Sequence, residues 1–386
     1  MKIVNVEYFT LKSPSPINYP KPLASFVTEG SIFLRIHTDS GITGIGEPSP
    51  YGASLKDMVK ILDDKLIQNW IGSDPLDIEK LSLQNSMNEG YGNLGFNALI
   101  AGFSQAIWDI YGKIKNKPLY KLLNPYSSAH IEAYASAGMW YEQTPLENIV
   151  CEALNFYNQG FKIYKLRPET HILAGNHIQR NLSPPPVNLK RFIVLIQKIN
   201  LATNGKLKIM VDAGCRLNFD QALNLISAMK ELNYFFLEEP IPRDYLQYSK
   251  LKKKSDFPLA GGESLSSNYQ FKPWLENDSL DYLQPDANLS GITEILRIDK
   301  MARAYNKKLI LHNWTNDINN AANAHIGAAL DSCIAVEANL TYNPLKNKLV
   351  KDAVELKNAH FILSDRPGLG IELNDLAVKE YSFNCF

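Results

Sequence analysis

In the later part of this sequence, seven ionisable residues close short apolar runs: Arg167, Asp212, Glu238, Glu263, Asp286, His312 and Glu337. Three of them, Asp212, Glu238 and Glu263, come from successive runs. Carboxylates brought together bare would repel one another. A hard divalent cation removes that objection, and Mg2+ prefers oxygen ligands while leaving positions open for substrate. Lys165 lies two residues before Arg167, so in a strand both side chains share one face. Cations so placed are costly unless anions lie nearby. The pair is either a structural partner of the carboxylates or an acid/base lysine beside an arginine that clamps a carboxylate or tunes a pKa. Asp286 and His312 end adjacent runs. A carboxylate that holds a histidine orients the ring and raises its basicity. In Leu237-Glu238-Glu239-Pro240, Glu238 is expected to point inward and Glu239 to serve as a structural partner. His171, His177 and His325 are expected to be ordinary residues, the first two in a loop over Thr170–Asn188.

The elements that must position these residues are legible as a pattern. Eight apolar runs, Ile131–Ala137, Phe161–Arg167, Leu207–Asp212, Tyr234–Glu238, Leu259–Glu263, Tyr282–Asp286, Lys308–His312 and Ile334–Glu337, alternate with amphipathic segments such as Leu146–Gln159, Phe219–Leu232 and Ile292–Asn306. Buried strands alternating with helices predict a parallel barrel, here (β/α)7β, whose strand C-termini converge on one face. Before it, Ile3–Leu11, Ser31–His37 and Gly44–Glu47 read as strands, with a turn at Asp39-Ser40-Gly41. Helical patterns follow over Leu55–Ile71 and Asn93–Asn116, and Ser13–Lys21, with three prolines, is a loop. The expected organisation is an α+β capping domain over 1–128, a TIM-like barrel over 129–354, and a segment over 355–386 that returns to the capping domain.

The chain has 386 residues, 45% of them hydrophobic, which is enough for more than one domain. Lys+Arg and Asp+Glu both number 40, and the one short basic cluster, Lys252-Lys253-Lys254, is expected on a solvated helix face, so no nucleic-acid partner is expected. Cys151, Cys215, Cys333 and Cys385 lack paired spacing and read as reduced thiols. No signal-peptide core and no apolar stretch long enough for a bilayer is present, so no membrane association and a cytoplasmic location are expected.

The ordered residues Lys165-x-Arg167, Asp212, Glu238-Glu239-Pro240, Gly262-Glu263, Pro285-Asp286 and His312 resemble the mandelate racemase subgroup of the enolase superfamily, the mandelate racemase/muconate lactonizing enzyme family. Thr43-Gly44-Ile45-Gly46-Glu47 resembles that family's capping domain. The stretch 106–113 resembles its helix leading into the barrel, and Pro367–Glu372 its C-terminal return. The resemblance implies Mg2+ held by Asp212, Glu238 and Glu263, and His312 with Asp286 as a general acid/base dyad. Glu337 becomes a donor to the substrate carboxylate, and the loops Ser13–Tyr19 and Pro48–Gly52 close over the substrate. A homo-oligomer is also implied. Two positions depart from the pattern. Arg167 stands where a second lysine base is usual, and a guanidinium is a poor base. Gly214 stands where many members carry a substrate-binding asparagine.

The implied chemistry is Mg2+-assisted removal of the proton α to a carboxylate. The reading followed is β-elimination of water from an acid sugar, aldonic or aldaric, to a 2-keto-3-deoxy acid. His312 takes the α-proton or protonates the leaving hydroxyl. Lys165, its pKa lowered by Arg167, does the complementary step, and Glu337 is a neutral donor or an electrostatic partner. The alternatives are a racemase or epimerase of a 2-hydroxy acid, and a barrel that binds an acid sugar without turnover. Tyr19, Tyr51 and Tyr91 either contact polyol hydroxyls or pack as surface aromatics.

Overall fold

The computed structural model describes residues 1–12, 30–48, 53–78, 94–137, 144–168, 187–341, 343 and 345–384. Most of the two substrate-covering loops, with Tyr19, Tyr51, Tyr91, His171, His177 and Cys385, lies outside the described residues.

Strands β1 (Ile3–Leu11), β2 (Ser31–Thr38) and β3 (Thr43–Gly46) form an antiparallel sheet in that order. Helix α1 (Leu55–Ile61) continues through a π-turn at Leu62–Leu66 into Ile67–Trp70, so the single helix expected from the sequence has a widened turn at its centre. Helix α2 (Leu94–Ile114) crosses β3 at very close range. A Cβ on Gly44 would sit 2.0 Å from the Ala106 carbonyl oxygen, and one on Gly46 2.0 Å from that of Gly102. Only glycine permits this approach, and the approach delivers Glu47, the next residue after β3, to the barrel.

A short helix α3 (Leu119–Leu123) leads into the barrel, which follows the order β4 (His130–Ser136), α4 (Leu146–Asn158), β5 (Ile163–Leu166), α5 (Leu189–Ala202), β6 (Lys208–Asp212), α6 (Phe219–Met229), β7 (Tyr234–Glu238), α7 (Tyr245–Ser255), β8 (Leu259–Gly261), α8 (Asn268–Glu276), β9 (Tyr282–Leu283), α9 (Gly291–Ala304), β10 (Lys308–Leu311), α10 (Asp317–Ala329) and β11 (Cys333–Asn339). The eight strands are parallel neighbours in sequence order, and β11 closes onto β4. The architecture is a (β/α)7β barrel with an antiparallel α+β domain before it. Inside, Tyr134, Ile163, Met210, Phe236, Ala260, Ile310 and Ala335 pack together as one apolar layer. Alternate residues such as Ile209, Val211, Leu237, Leu309 and Leu311 face the helices in the main core. Because side chains alternate along a strand, the inward residues two places beyond this layer are Lys165, Asp212, Glu238, His312 and Glu337. The apolar layer is therefore the floor on which the polar residues stand.

The segment after β11 divides its contacts. Strand β12 (Val350–Lys351) pairs later with β15 (Glu372–Leu373), whereas β13 (Glu355–Lys357) and β14 (His360–Ile362) form a hairpin. The sequence assigns 355–386 to the capping domain, but β14 pairs with His130–Glu132 at the start of β4. Those residues precede the parts of β4 that pair with β5 and β11, and the hairpin satisfies their free backbone groups. Beyond helix α11 (Asp375–Tyr381) the chain does reach the capping sheet. Lys12 donates its N–H to the Tyr381 carbonyl (2.9 Å), and Phe383 donates to that of Thr10 (3.0 Å). Among the described residues no helix is long and apolar enough to cross a membrane.

His325 in α10 ties barrel to tail. Its Nδ1 accepts the Tyr120 N–H (3.1 Å), and its Nε2 donates to the Leu369 carbonyl (3.1 Å). The Nδ1 bond needs the neutral ring, and burial pushes its pKa from 6.5 down to about 4. As pH falls through this window, the unfolded chain takes up a proton that the folded chain refuses. The histidine thus subtracts about 3 kcal/mol of stability between the two values. Urea unfolding followed from pH 7 to pH 4 should show a shallower acid decline for His325→Gln than for the parent chain. Parallel curves would contradict the assignment.

Candidate active site

The strand ends bring the expected residues to one mouth, but not all from inside strands. Asp212 and Glu238 close β6 and β7 and are direct partners across them. Lys165 lies in β5, and Arg167 and His312 come just after β5 and β10. Glu337 lies inside β11 rather than at its end. Strand β8 stops at Gly261 and β9 at Leu283, so Glu263 and Asp286 project from the turns that follow, against the longer runs read from the sequence. Gly262, at φ +103, turns the chain before Glu263, and Phe271 lies 2.4 Å from where its Cβ would be.

Acids and cations interleave. Lys165 Nζ lies 3.1 Å from Glu238 Oε1 and 2.8 Å from Glu337 Oε1, all three side chains fully buried. Arg167 Nε donates to Asp212 (2.9 Å), its Nη1 donates to the Ala137 carbonyl (3.1 Å), and its guanidinium lies 4.3 Å from the centre of the Trp314 ring. His312 Nδ1 is 2.6 Å from Asp286, and its Nε2 is 3.3 Å from Glu263 and 3.8 Å from Glu337. Each of the three expected metal ligands thus has at least one basic group beside it, and Glu263 also has Arg243 at 3.8 Å. Glu239, at φ +39, turns away to Arg243 (2.9 and 3.1 Å), a structural ion pair. Gly214 is in the left-handed region at φ +56, and its N–H donates to Asp212 (3.0 Å).

The electrostatics correct two expectations. Burial works against charge on Lys165, but Glu238 and Glu337 outweigh both burial and Arg167, so its pKa is raised, not lowered. Burial also favours neutral Glu337, yet Lys165, His312 and Arg167 pull its pKa down to about 2. Among the protein groups alone, its anion is favoured over the neutral donor. Burial opposes the imidazolium of His312, but Glu263, Glu337 and Asp286 together hold its pKa near 10. Arg167 and Lys165 overcome the desolvation of Asp212, whose pKa falls. For Glu238, burial together with Asp212, Glu337 and Glu263 outweighs Lys165 and lifts the pKa to about 8. Burial raises the pKa of Glu263 as well, with Glu239 and Asp212 adding to it.

These values bear on whether the site suits a metal. Among the described residues, no three His, Cys, Asp or Glu side chains are gathered as closely as the ligands of a bound ion. The donor chemistry nevertheless fits. Fully ionised, the five carboxylates outnumber Lys165, Arg167 and protonated His312 by the charge of one divalent cation. Burial raises the pKa of Glu238 and Glu263, and the neighbouring carboxylates add to it. The buried Glu238 Oε2 has no hydrogen-bond partner, a costly state for a carboxylate oxygen.

The sequence reading passed over a buried asparagine network behind the dyad. Asn319 and Asn323 both donate to Asp286 Oδ1 (2.8 and 3.0 Å). Asn313 donates its N–H to Glu337 Oε2 (3.2 Å) and its amide to the Glu337 carbonyl (2.9 Å). A signal was available: asparagines at 316, 319, 320 and 323 sit in an otherwise alanine-rich helical stretch. Asparagine is a poor interior helix residue, so such a stripe needs a polar partner.

Comparison with known proteins agrees with this picture. Residues 5–124 match the mandelate racemase / muconate lactonizing enzyme N-terminal domain, and residues 148–377 match the enolase C-terminal domain-like family. An arabinonate dehydratase of Saccharolobus solfataricus is 30% identical over 356 residues, covering 91% of this chain and 90% of that protein. A D-galactonate dehydratase of Pectobacterium atrosepticum is 28% identical over 366 residues, covering 92% and 91%. Among solved structures, the 3,6-anhydro-D-galactonate cycloisomerase from Zobellia galactanivorans superposes over the whole of both chains (100% and 100%), with a TM-score of 0.83 and 25% identity.

Proposed function

Since the chain belongs to the mandelate racemase/muconate lactonizing enzyme family of the enolase superfamily, we propose that it is a hydro-lyase that dehydrates an acid sugar to a 2-keto-3-deoxy acid. The observation that carries this reading is the placement of His312, gripped by Asp286 at Nδ1 (2.6 Å) while Nε2 faces the carboxylate cluster. The names of the two dehydratase relatives support the substrate class.

Asp212, Glu238 and Glu263 would hold Mg2+. When bound, the cation would polarise the substrate carboxylate and stabilise the charge left when the α-proton departs. Arg167 is always protonated and cannot serve as a base. Lys165 is held between Glu238 and Glu337, which favour its charged form and suit it to electrostatic support of the same developing charge. His312 is then the group that moves protons. Were Glu263 engaged as a ligand, fewer carboxylates would face the imidazole, and Nε2 would be able to accept. It takes the α-proton and returns one to the departing β-hydroxyl, which leaves as water. The resulting enol tautomerises to the keto acid. A racemase needs a second base on the opposite face; Arg167 cannot be that base, and Lys165 is held between two carboxylates, Glu238 and Glu337.

A library of aldonic and aldaric acids, incubated with Mg2+ and assayed for keto acids, tests the proposal. At least one member should yield a 2-keto-3-deoxy product. Solvent-deuterium exchange with inversion and no keto acid would instead make the protein a racemase. Binding without exchange or product would make it a sugar-acid binder.

A further inference from the structure

Glu47 and Gln105 belong to the capping domain and touch none of the residues assigned to the chemistry, yet both are fully buried. Glu47 Oε1 accepts the backbone N–H and the side-chain amide of Asn316 (2.8 and 2.9 Å), and Oε2 accepts the N–H of Asn319 (3.1 Å). Its carboxylate thereby sits on the N-terminus of α10. The N-cap residue of that helix, Asn316, makes no side-chain capping bond of its own. An acceptor there satisfies free helix donors; burial raises the pKa of Glu47 to about 7, while the bonds from Asn316 and Asn319 and the positive end of the helix dipole favour its anion. One turn on, Asn319 and Asn323 share a face and both donate to Asp286. Gln105 supplies a parallel link. It accepts the Glu47 N–H (2.8 Å) and donates to the Ala287 carbonyl (2.8 Å) and to Asn319 Oδ1 (3.3 Å). Asp286 in turn grips His312.

The geometry points to Glu47 as a positioning residue for the dyad: a capping-domain carboxylate that seats α10 and, through Asn319, aims Asp286 at His312. No proton has to travel along this chain of bonds. The two glycines before Glu47 have a reason to be there, since the close packing of β3 on α2 fixes how far the carboxylate reaches. The inference rests on the reading of His312 and Asp286 as the acid/base pair, so its test needs a readout that does not depend on turnover.

The His312 ring proton in the short bond to Asp286 should give a far-downfield proton NMR resonance in the substrate-free protein, identified by its loss in His312→Asn. Glu47→Gln and Asn319→Leu should each shift or broaden that resonance. Each should also lower kcat about tenfold, the worth of one or two buried hydrogen bonds, with KM within about twofold. The double variant should be no worse than the more damaged single one, because both cut the same connection. If Glu47→Gln does not fold, Glu47→Asp, which keeps the charge but withdraws it from α10, takes its place. A resonance unmoved in the folded Glu47 variant overturns the inference, and so does a strictly additive double variant. If no acid sugar is turned over at all, the resonance alone decides, so failure of the dehydratase reading is separable from failure of this one.

Discussion

Replacing His312 by asparagine is expected to lower kcat by about 10²-fold to 10⁴-fold, the range lost when a positioned acid/base group is removed. Asparagine can still reach toward Asp286, so the buried network behind the site keeps a partner and the fold should survive. What disappears is the Nε2 side, 3.3 Å from Glu263. Its loss takes one cation from among the carboxylates, so divalent-ion affinity should hold or rise. Steady-state kinetics, thermal unfolding and calorimetric Mg2+ titration on the same preparation check the three parts together. A variant that keeps more than about a tenth of the activity removes the histidine from the mechanism.

The second large effect concerns the excess negative charge. Mg2+ should raise the melting temperature of the parent chain, because it binds the folded arrangement and not the unfolded one. Chelation should abolish turnover, and adding the ion back should restore it. Glu238→Gln should weaken Mg2+ binding by more than about a hundredfold, beyond what losing an outer partner costs a metal site. Glu238 is the informative position. It is fully buried, its Oε2 lacks a partner, and burial among like charges lifts its pKa to about 8. The amide should therefore be tolerated structurally, since the proton it mimics is already favoured there. Absence of both a heat of binding and a thermal shift with the parent chain would refute the metal assignment.

The barrel and the floor of the site were legible because period-two alternation converts directly into facing. The runs that supply Met210 and Asp212, or Phe236 and Glu238, state both the apolar layer and the polar group above it. Four things were not legible. Glu263 and Asp286 leave from turns, and a run of apolar character does not mark where hydrogen bonding stops. The charge on Lys165 was misjudged because its governing neighbours, Glu238 and Glu337, are remote in sequence, whereas Arg167 is adjacent. The asparagine network needed the third dimension. Glu47 and Asn316 are 269 residues apart, and no local pattern in either segment names the other. The π-turn at Leu62–Leu66 is similarly silent, since its residues fit an ordinary helix.

The pairing of β1 with the segment after α11 has a consequence for biosynthesis. Phe383 leaves the ribosome 373 residues after Thr10, whose hydroxyl and carbonyl it meets. The C-terminal end of β1 is therefore met by residues translated long after it. Until then the first domain exposes an open strand edge, a surface on which nascent chains associate and chaperones act. That strand end cannot be covered until the whole intervening barrel sequence has been synthesised, whatever the order in which the barrel itself assembles.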